Sequence, residues 1–220
     1  MTIKSKTRGY FLFLFVLIVL VSSVLIFLLL TRKNALTGEF TFKTRAPEVA
    51  LVYFSEDESL SAIAPVIDQR NKQFIPQLVV GASGARVVLI NSDVMRHGVY
   101  VRDRELNVDF ETGLVEPGVV LHQTIDWEEN HVVQIGCRIH PMMKAWVACI
   151  SSRYYQTVEF KQGEKTAKFK IEDIPNKLTK VKIWAPGYLP TEVVIQKGES
   201  KNVELRKGKK VSGVLRLELR

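Results

Sequence analysis

"HVVQIGCRIHPMMKAWV", residues 131–147, decides how the rest of the chain is read. A β-branched run ends at Cys137, a turn carries His140 and Pro141, and a second apolar run begins after Met143. That is the pattern of two strands joined by a short loop. From Cys137 to Met143, seven residues hold a thiol, an imidazole and two thioethers, in a chain with only two Cys and four His. Thiolate and thioether are soft donors, and imidazole suits copper. Two His and one Cys in a plane with a distant Met describe a blue copper site.

The flanking sequence reads as further strands. "GVVLHQTI", the acidic turn "DWEEN" and "HVVQIG" precede the loop, and "AWVACI" follows it. Upstream, "QLVVGASGARVVLIN" is an apolar run, a Gly and Ser turn and a second apolar run ending at Asn91. Residues 38–56 add "EFTFKT" and "EVALVYFS". No long helical periodicity competes, so an antiparallel sandwich is expected. From Tyr154 the composition shifts to strand-like runs with Lys and Glu on one face, broken at "EDIPNK", "APGYLP" and "QKGES". Residues 154–220 therefore read as a separate small β-module.

Cys137 at a strand end and His140 three residues on can face one point across a tight turn that Pro141 stiffens. The missing donor is sought in "NSDVMRHGVY", where His97 follows its own strand and turn, so that an upstream N-x-D-x-x-x-H accompanies CxxHxxM. Copper is the expected metal, with zinc or a metal-free relic of the site as the alternatives. With one Cys in the loop, a dinuclear centre lacks its second bridging thiolate.

"NSDVMRH" with "CRIHPMM" resembles the ligand loops of cupredoxins, and the short CxxHPxM loop is most similar to that of amicyanin. From about residue 37 to 206 the order "DQRNKQFIPQLVV", "NSDVMRHGVY", "GCRIHPMM" and a small regulatory-like β-module resembles the cupredoxin-like methylamine utilization proteins. The resemblance implies a Greek-key β-sandwich at 37–151 and a carboxypeptidase-regulatory-like β-module at 154–220. It also implies one mononuclear copper held by His97, Cys137, His140 and Met143, and electron transfer as the work. It selects Met143 as the axial ligand and leaves Met142 in an exposed apolar collar with Pro141 and Trp146. One departure concerns Gly98, which stands where small cupredoxins usually carry Asn and the methylamine utilization type often a second His. Without that side chain, the brace to the loop at Arg138 has to come from elsewhere.

The remaining candidates have plainer readings. His122 and His131 sit among apolar neighbours as ordinary histidines, Cys149 in "WVACI" is a packed thiol, and Met95 is packing. Residues 10–30, "YFLFLFVLIVLVSSVLIFLLL", carry no charge. At about 1.5 Å per residue they reach roughly 30 Å, the thickness of a bilayer's hydrocarbon core. A cleaved signal peptide has a shorter apolar core and a small-residue cleavage site, and "LLLTRKNALTG" offers none. Lys4, Lys6 and Arg8 against Arg32 and Lys33 place residues 1–9 in the cytoplasm. The expectation is a single-pass anchor in the cytoplasmic (inner) membrane, with the bulk of the chain periplasmic or external.

The net charge of +8 is concentrated in the C-terminal module without exposed aromatic platforms, which excludes a nucleic-acid reader. It reads as a solvated face, or as a surface for anionic lipid or an acidic partner. No nucleotide loop, GxSxG or zinc-protease motif is present, so a non-enzymatic protein is expected. Two functions follow. One is a membrane-tethered one-electron carrier between a redox donor and an acceptor. The other is an accessory protein that stores copper or delivers it to an external enzyme.

Overall fold

The structure, a computed structural model, describes residues 34–60 and 64–220. The expected anchor at 10–30 and the stretch 1–9 lie outside the described residues. Among the described ones, no helix is long and apolar enough to cross a membrane. The chain opens with β1 (Asn34–Phe42) and β2 (Val49–Phe54). Next come β3 (Val66–Arg70), β4 (Gln73–Ile75), β5 (Leu78–Gly81), β6 (Arg86–Asn91), β7 (Val99–Asp103) and β8 (Val108–Glu111). β9 (Val120–Thr124), β10 (His131–Cys137) and β11 (Lys144–Cys149) complete the central part. The rest is β12 (Tyr155–Glu159), β13 (Thr166–Ile174), β14 (Lys180–Trp184), β15 (Thr191–Val194), β16 (Ser200–Lys207) and β17 (Lys210–Leu219).

These strands build two sandwiches. In the first, a sheet of order β4-β3-β6-β9 faces one of order β5-β11-β10-β7-β8. The chain changes sheets between β4 and β5, β5 and β6, β6 and β7, β8 and β9, and β9 and β10. Alternate residues of both sheets, among them Ile67, Leu89, Val101, Val133 and Val147, meet in one buried core, as period-two patterning requires. The second sandwich pairs β13-β1-β17-β16 with β12-β2-β14-β15 around Phe40, Val52, Phe54, Ile183 and Leu215. A third apolar cluster, including Leu51, Tyr53, Leu78, Val80 and Trp146, joins the two. β2 is therefore buried on both faces, which is why "VALVYF" carries no polar alternation.

The pairing corrects the expected boundary at residue 37. β1 pairs with β13 and β17, and β2 with β12 and β14, so residues 34–54 belong to the sandwich of residues 155–219. Periodicity marks which face of a strand is apolar. It does not say which sheet that face will cover, and here Leu36, Phe40 and Phe42 fill the C-terminal core.

The two sandwiches present the same ends together. Lys144, beginning β11, pairs with Glu48, just before β2, at 3.1 Å. The Gln77 N–H, before β5, donates to Glu159 at the end of β12, at 3.4 Å. The cysteine loop thus shares its end of the molecule with residues 43–48 and 160–165.

Candidate metal centre

The loop after β10 closes on itself. Gly136 faces Lys144 across the hairpin, the Cys137 N–H donates to the Met143 carbonyl at 3.2 Å, and the Met143 N–H donates to the His140 carbonyl at 2.9 Å. His97 is fixed by a different route, bridging Val115 through both backbone groups at 3.1 and 2.7 Å. The Asn91 side-chain amide donates to the Met95 and Val115 carbonyls at 3.0 and 2.9 Å, tying the end of β6 to this bridge. His97 is fully buried, Cys137 is 1% exposed and His140 is partly exposed.

These residues converge. His97 Nδ1 and His140 Nδ1 are 3.1 Å apart, and the Cys137 sulfur lies 3.6 Å from the first and 3.7 Å from the second. A circle through three atoms so spaced has a radius of about 2.0 Å, close to the metal–nitrogen bond of roughly 2.0–2.1 Å and slightly under the metal–thiolate bond of roughly 2.3 Å. The residues therefore fit a single trigonally held soft metal ion, and no other arrangement of three His, Cys, Asp or Glu donors of this kind occurs among the described residues.

The protonation pattern suits that role. His97 Nε2 lies 3.0 Å from the Asp93 carboxylate. A carboxylate only accepts, so Nε2 carries the proton and the Nδ1 lone pair faces the triangle. The Lys72 N–H holds the Asp93 carboxyl below the usual carboxylate value, opposed by burial and helped by His97 and Val94. Burial, followed by the neighbouring His97 and Lys72, pushes the His140 pKa down, which favours the neutral ring.

Three of the four expected ligands, His97, Cys137 and His140, are thus brought together. Met143 is 2% exposed and packs in the same core cluster as Cys137, whereas Met142 is 88% exposed. The adjacent side chains take opposite sides, as expected. The missing brace at Gly98 is supplied by backbone: its carbonyl accepts the Arg138 N–H at 2.8 Å. A Cβ at Gly98 would stand 3.0 Å from the Gly113 carbonyl oxygen, so the approach of these segments favours glycine. The Arg138 side chain pairs with Glu111.

The expected collar is partly redrawn. Val94, Leu114, Ile139 and Met142 are exposed in the loops around the His140 edge. Trp146 is not among them: it is 3% exposed and meets Trp184 edge-on at 6.1 Å between the sandwiches, because alternation along β11 turns it away from the Met143 side. His122 and His131 lie away from the site, His131 beside Glu128 and Glu129. Cys149 is a buried free thiol, its pKa pushed up to about 12 by burial and then by Glu129. Sequence reasoning assigned no role to Asp93. The signal was the Asp within N-x-D-x-x-x-H, four residues before the histidine it orients.

No family profile and no curated protein sequence matches this chain. Among solved structures it is similar to amicyanin from Paracoccus versutus, at 20% identity and a TM-score of 0.35 over 50% of this chain and 96% of that one. A purple cupredoxin from Nitrosopumilus maritimus matches at 18% identity and a TM-score of 0.34, covering 39% of this chain and 98% of that one. A copper-containing nitrite reductase from Thermus scotoductus matches at 22% identity and a TM-score of 0.35 over 39% of this chain. This chain covers only 22% of that reductase.

Proposed function

We propose that this protein is a membrane-anchored, mononuclear copper protein that passes single electrons between external redox partners and transforms no substrate. The observation that carries the reading is the triangle of His97 Nδ1, His140 Nδ1 and Cys137 Sγ, set at the end of a packed sandwich. Copper bound there supplies the one-electron couple. The protein's part is to keep the donors nearly still, through the His97–Val115 bridge, the Asp93 carboxylate and the Arg138–Gly98 backbone bond. Buried Met143 is the proposed axial donor, a weak ligand that tunes potential more than it holds metal. His140 is the partly exposed edge, so electrons pass there within the apolar collar. Residues 10–30 hold the chain in the cytoplasmic membrane, with the described part on the periplasmic or external side.

Visible and electron paramagnetic resonance spectra of the copper-loaded full-length chain test the reading. Intense thiolate-to-copper absorption with a narrow copper hyperfine splitting is expected. A colourless adduct with ordinary tetragonal copper parameters refutes it. The second reading, copper delivery, is favoured by the exposed thioether of Met142 beside the site. Repeated reduction and oxidation separates the two: an electron carrier stays loaded, while a metal carrier yields Cu(I) to a competing chelator.

A further inference from the structure

The second sandwich gathers cations at the end it shares with the metal centre. Lys43 and Arg45 follow β1, Lys161 and Lys165 lie between β12 and β13, and Lys209 lies in the turn before β17, which Lys210 begins. They come from three separate connections, and antiparallel pairing brings these to one end: Thr41 faces Thr166, and Phe42 faces Gly213. All six are exposed, and none forms an ion pair with a carboxylate of the described residues. Of the carboxylates at this end, Glu48 pairs with Lys144, while Glu159 and Glu164 accept the Gln77 and Lys161 N–H groups and keep their charge, so the six cations outnumber them. The Lys144–Glu48 contact makes the basic surface continuous with the loop that carries His140 and Met142.

The surroundings narrow the occupant. Asn34, where the described chain begins, lies at the opposite end, its amide donating to Asn176 at 2.8 Å. In the sequence only residues 31–33 separate the proposed anchor at 10–30 from Asn34. β1 alone separates the two ends by roughly 30 Å at about 3.4 Å per residue, so a bilayer holding the N-terminal segment is far from the cations. Nucleic acid is disfavoured because the rings at the basic end face inward: Phe160 packs edge-on against Phe40 and Phe42, and Tyr188 is buried. An apolar collar beside unpaired cations matches a protein surface with an apolar spot rimmed by carboxylates.

We propose that the metal edge and this basic end form one docking surface for an acidic redox protein. The inference rests on the electron-transfer reading above and names its partner class. The second sandwich is then a steering element that attracts the partner and places it over the His140 edge.

The test uses the full-length chain in nonionic detergent and one small c-type cytochrome in two forms, succinylated to be acidic or unmodified and basic. Binding is measured by fluorescence anisotropy on the metal-free chain. The succinylated form is expected to bind, about tenfold more weakly when salt rises from about 20 to about 300 mM, and the basic form to bind at least tenfold more weakly at low salt. Lys165→Glu with Lys209→Glu and Lys210→Glu should weaken acidic binding roughly tenfold, and Met142→Glu should weaken it by a comparable factor. The same charge change at the other end, Lys177→Glu with Lys180→Glu and Lys197→Glu, should alter it less than about threefold. Equal effects of the two triple variants, or no effect of Met142→Glu, overturn the proposal. So does tighter binding of phosphatidylglycerol vesicles or duplex DNA to the same lysines. Because binding is read without copper, failure of the copper spectra and failure of docking are separate results.

Discussion

Asp93 is the side chain on which the preformed site depends most. Its carboxylate accepts the Lys72 N–H at 2.9 Å, the Val94 N–H at 2.8 Å and His97 Nε2 at 3.0 Å. In Asp93→Ala the first two donors sit on exposed residues and regain water, whereas fully buried His97 has no substitute. Stranding one buried donor costs about 1–3 kcal/mol, so a loss of about 2–3 kcal/mol is expected for the metal-free chain. The imidazole also loses the partner that fixes its tautomer, and removing such a partner costs roughly 10–100-fold in metal affinity. Asp93→Asn can keep a carbonyl oxygen toward His97 while losing the Val94 contact, so its cost should be nearer 1 kcal/mol. The pH dependence has a definite sign. The folded carboxyl titrates below its ordinary value near 3.8, so its contribution is complete above that pH and is lost as pH falls through the lower folded value. Asp93→Ala lacks that acid-induced loss. Denaturant unfolding of the metal-free full-length chain measures stability, and competition with a chromogenic Cu(I) chelator measures affinity. An Asp93→Ala protein within about 0.5 kcal/mol of native stability and within threefold of native affinity refutes the reasoning.

The other predictions concern the axial position, the brace, the thiols and topology. Met143→Leu should keep copper bound and coloured but raise its reduction potential, while Met142→Leu leaves the potential nearly unchanged; voltammetry on both variants decides the register of the loop. Gly98→Ala places a methyl 3.0 Å from the Gly113 carbonyl, and the forced backbone shift should cost about 1–3 kcal/mol in thermal or denaturant unfolding. Metal-free, denatured and unreduced chain should show two free thiols. In the native chain Cys149 should resist alkylation at pH 8, because burial holds its pKa at about 12; that contribution to stability is present below the ordinary value near 9.0 and is lost as pH rises toward 12. Topology reporters fused after Arg220 should be active only outside the cytoplasm, and a soluble product lacking residues 1–30 would contradict the anchor.

The sequence alone carried what short-range chemistry determines. Period-two patterning marked the strands on either side of Cys137. The CxxHPxM spacing put thiol and imidazole on one loop because three residues span one tight turn. The alternation of Met142 and Met143 also follows from local backbone geometry, and the exposures of 88% and 2% agree with it. What the tertiary structure decided depends on contacts distant in the chain. His97 meets Cys137 across 40 residues because β7 pairs with β10, and that pairing follows from which apolar faces fill the core together. β1 and β2 read correctly as strands but were assigned to the wrong sandwich, since an apolar face records that it must be covered and not by what. Trp146 looked like part of the collar by proximity to the loop, yet its place on β11 turns it into the contact between sandwiches. Asp93 stood in view four residues before His97, but only the fold excluded water from the pair and made one hydrogen bond decide which nitrogen faces the metal.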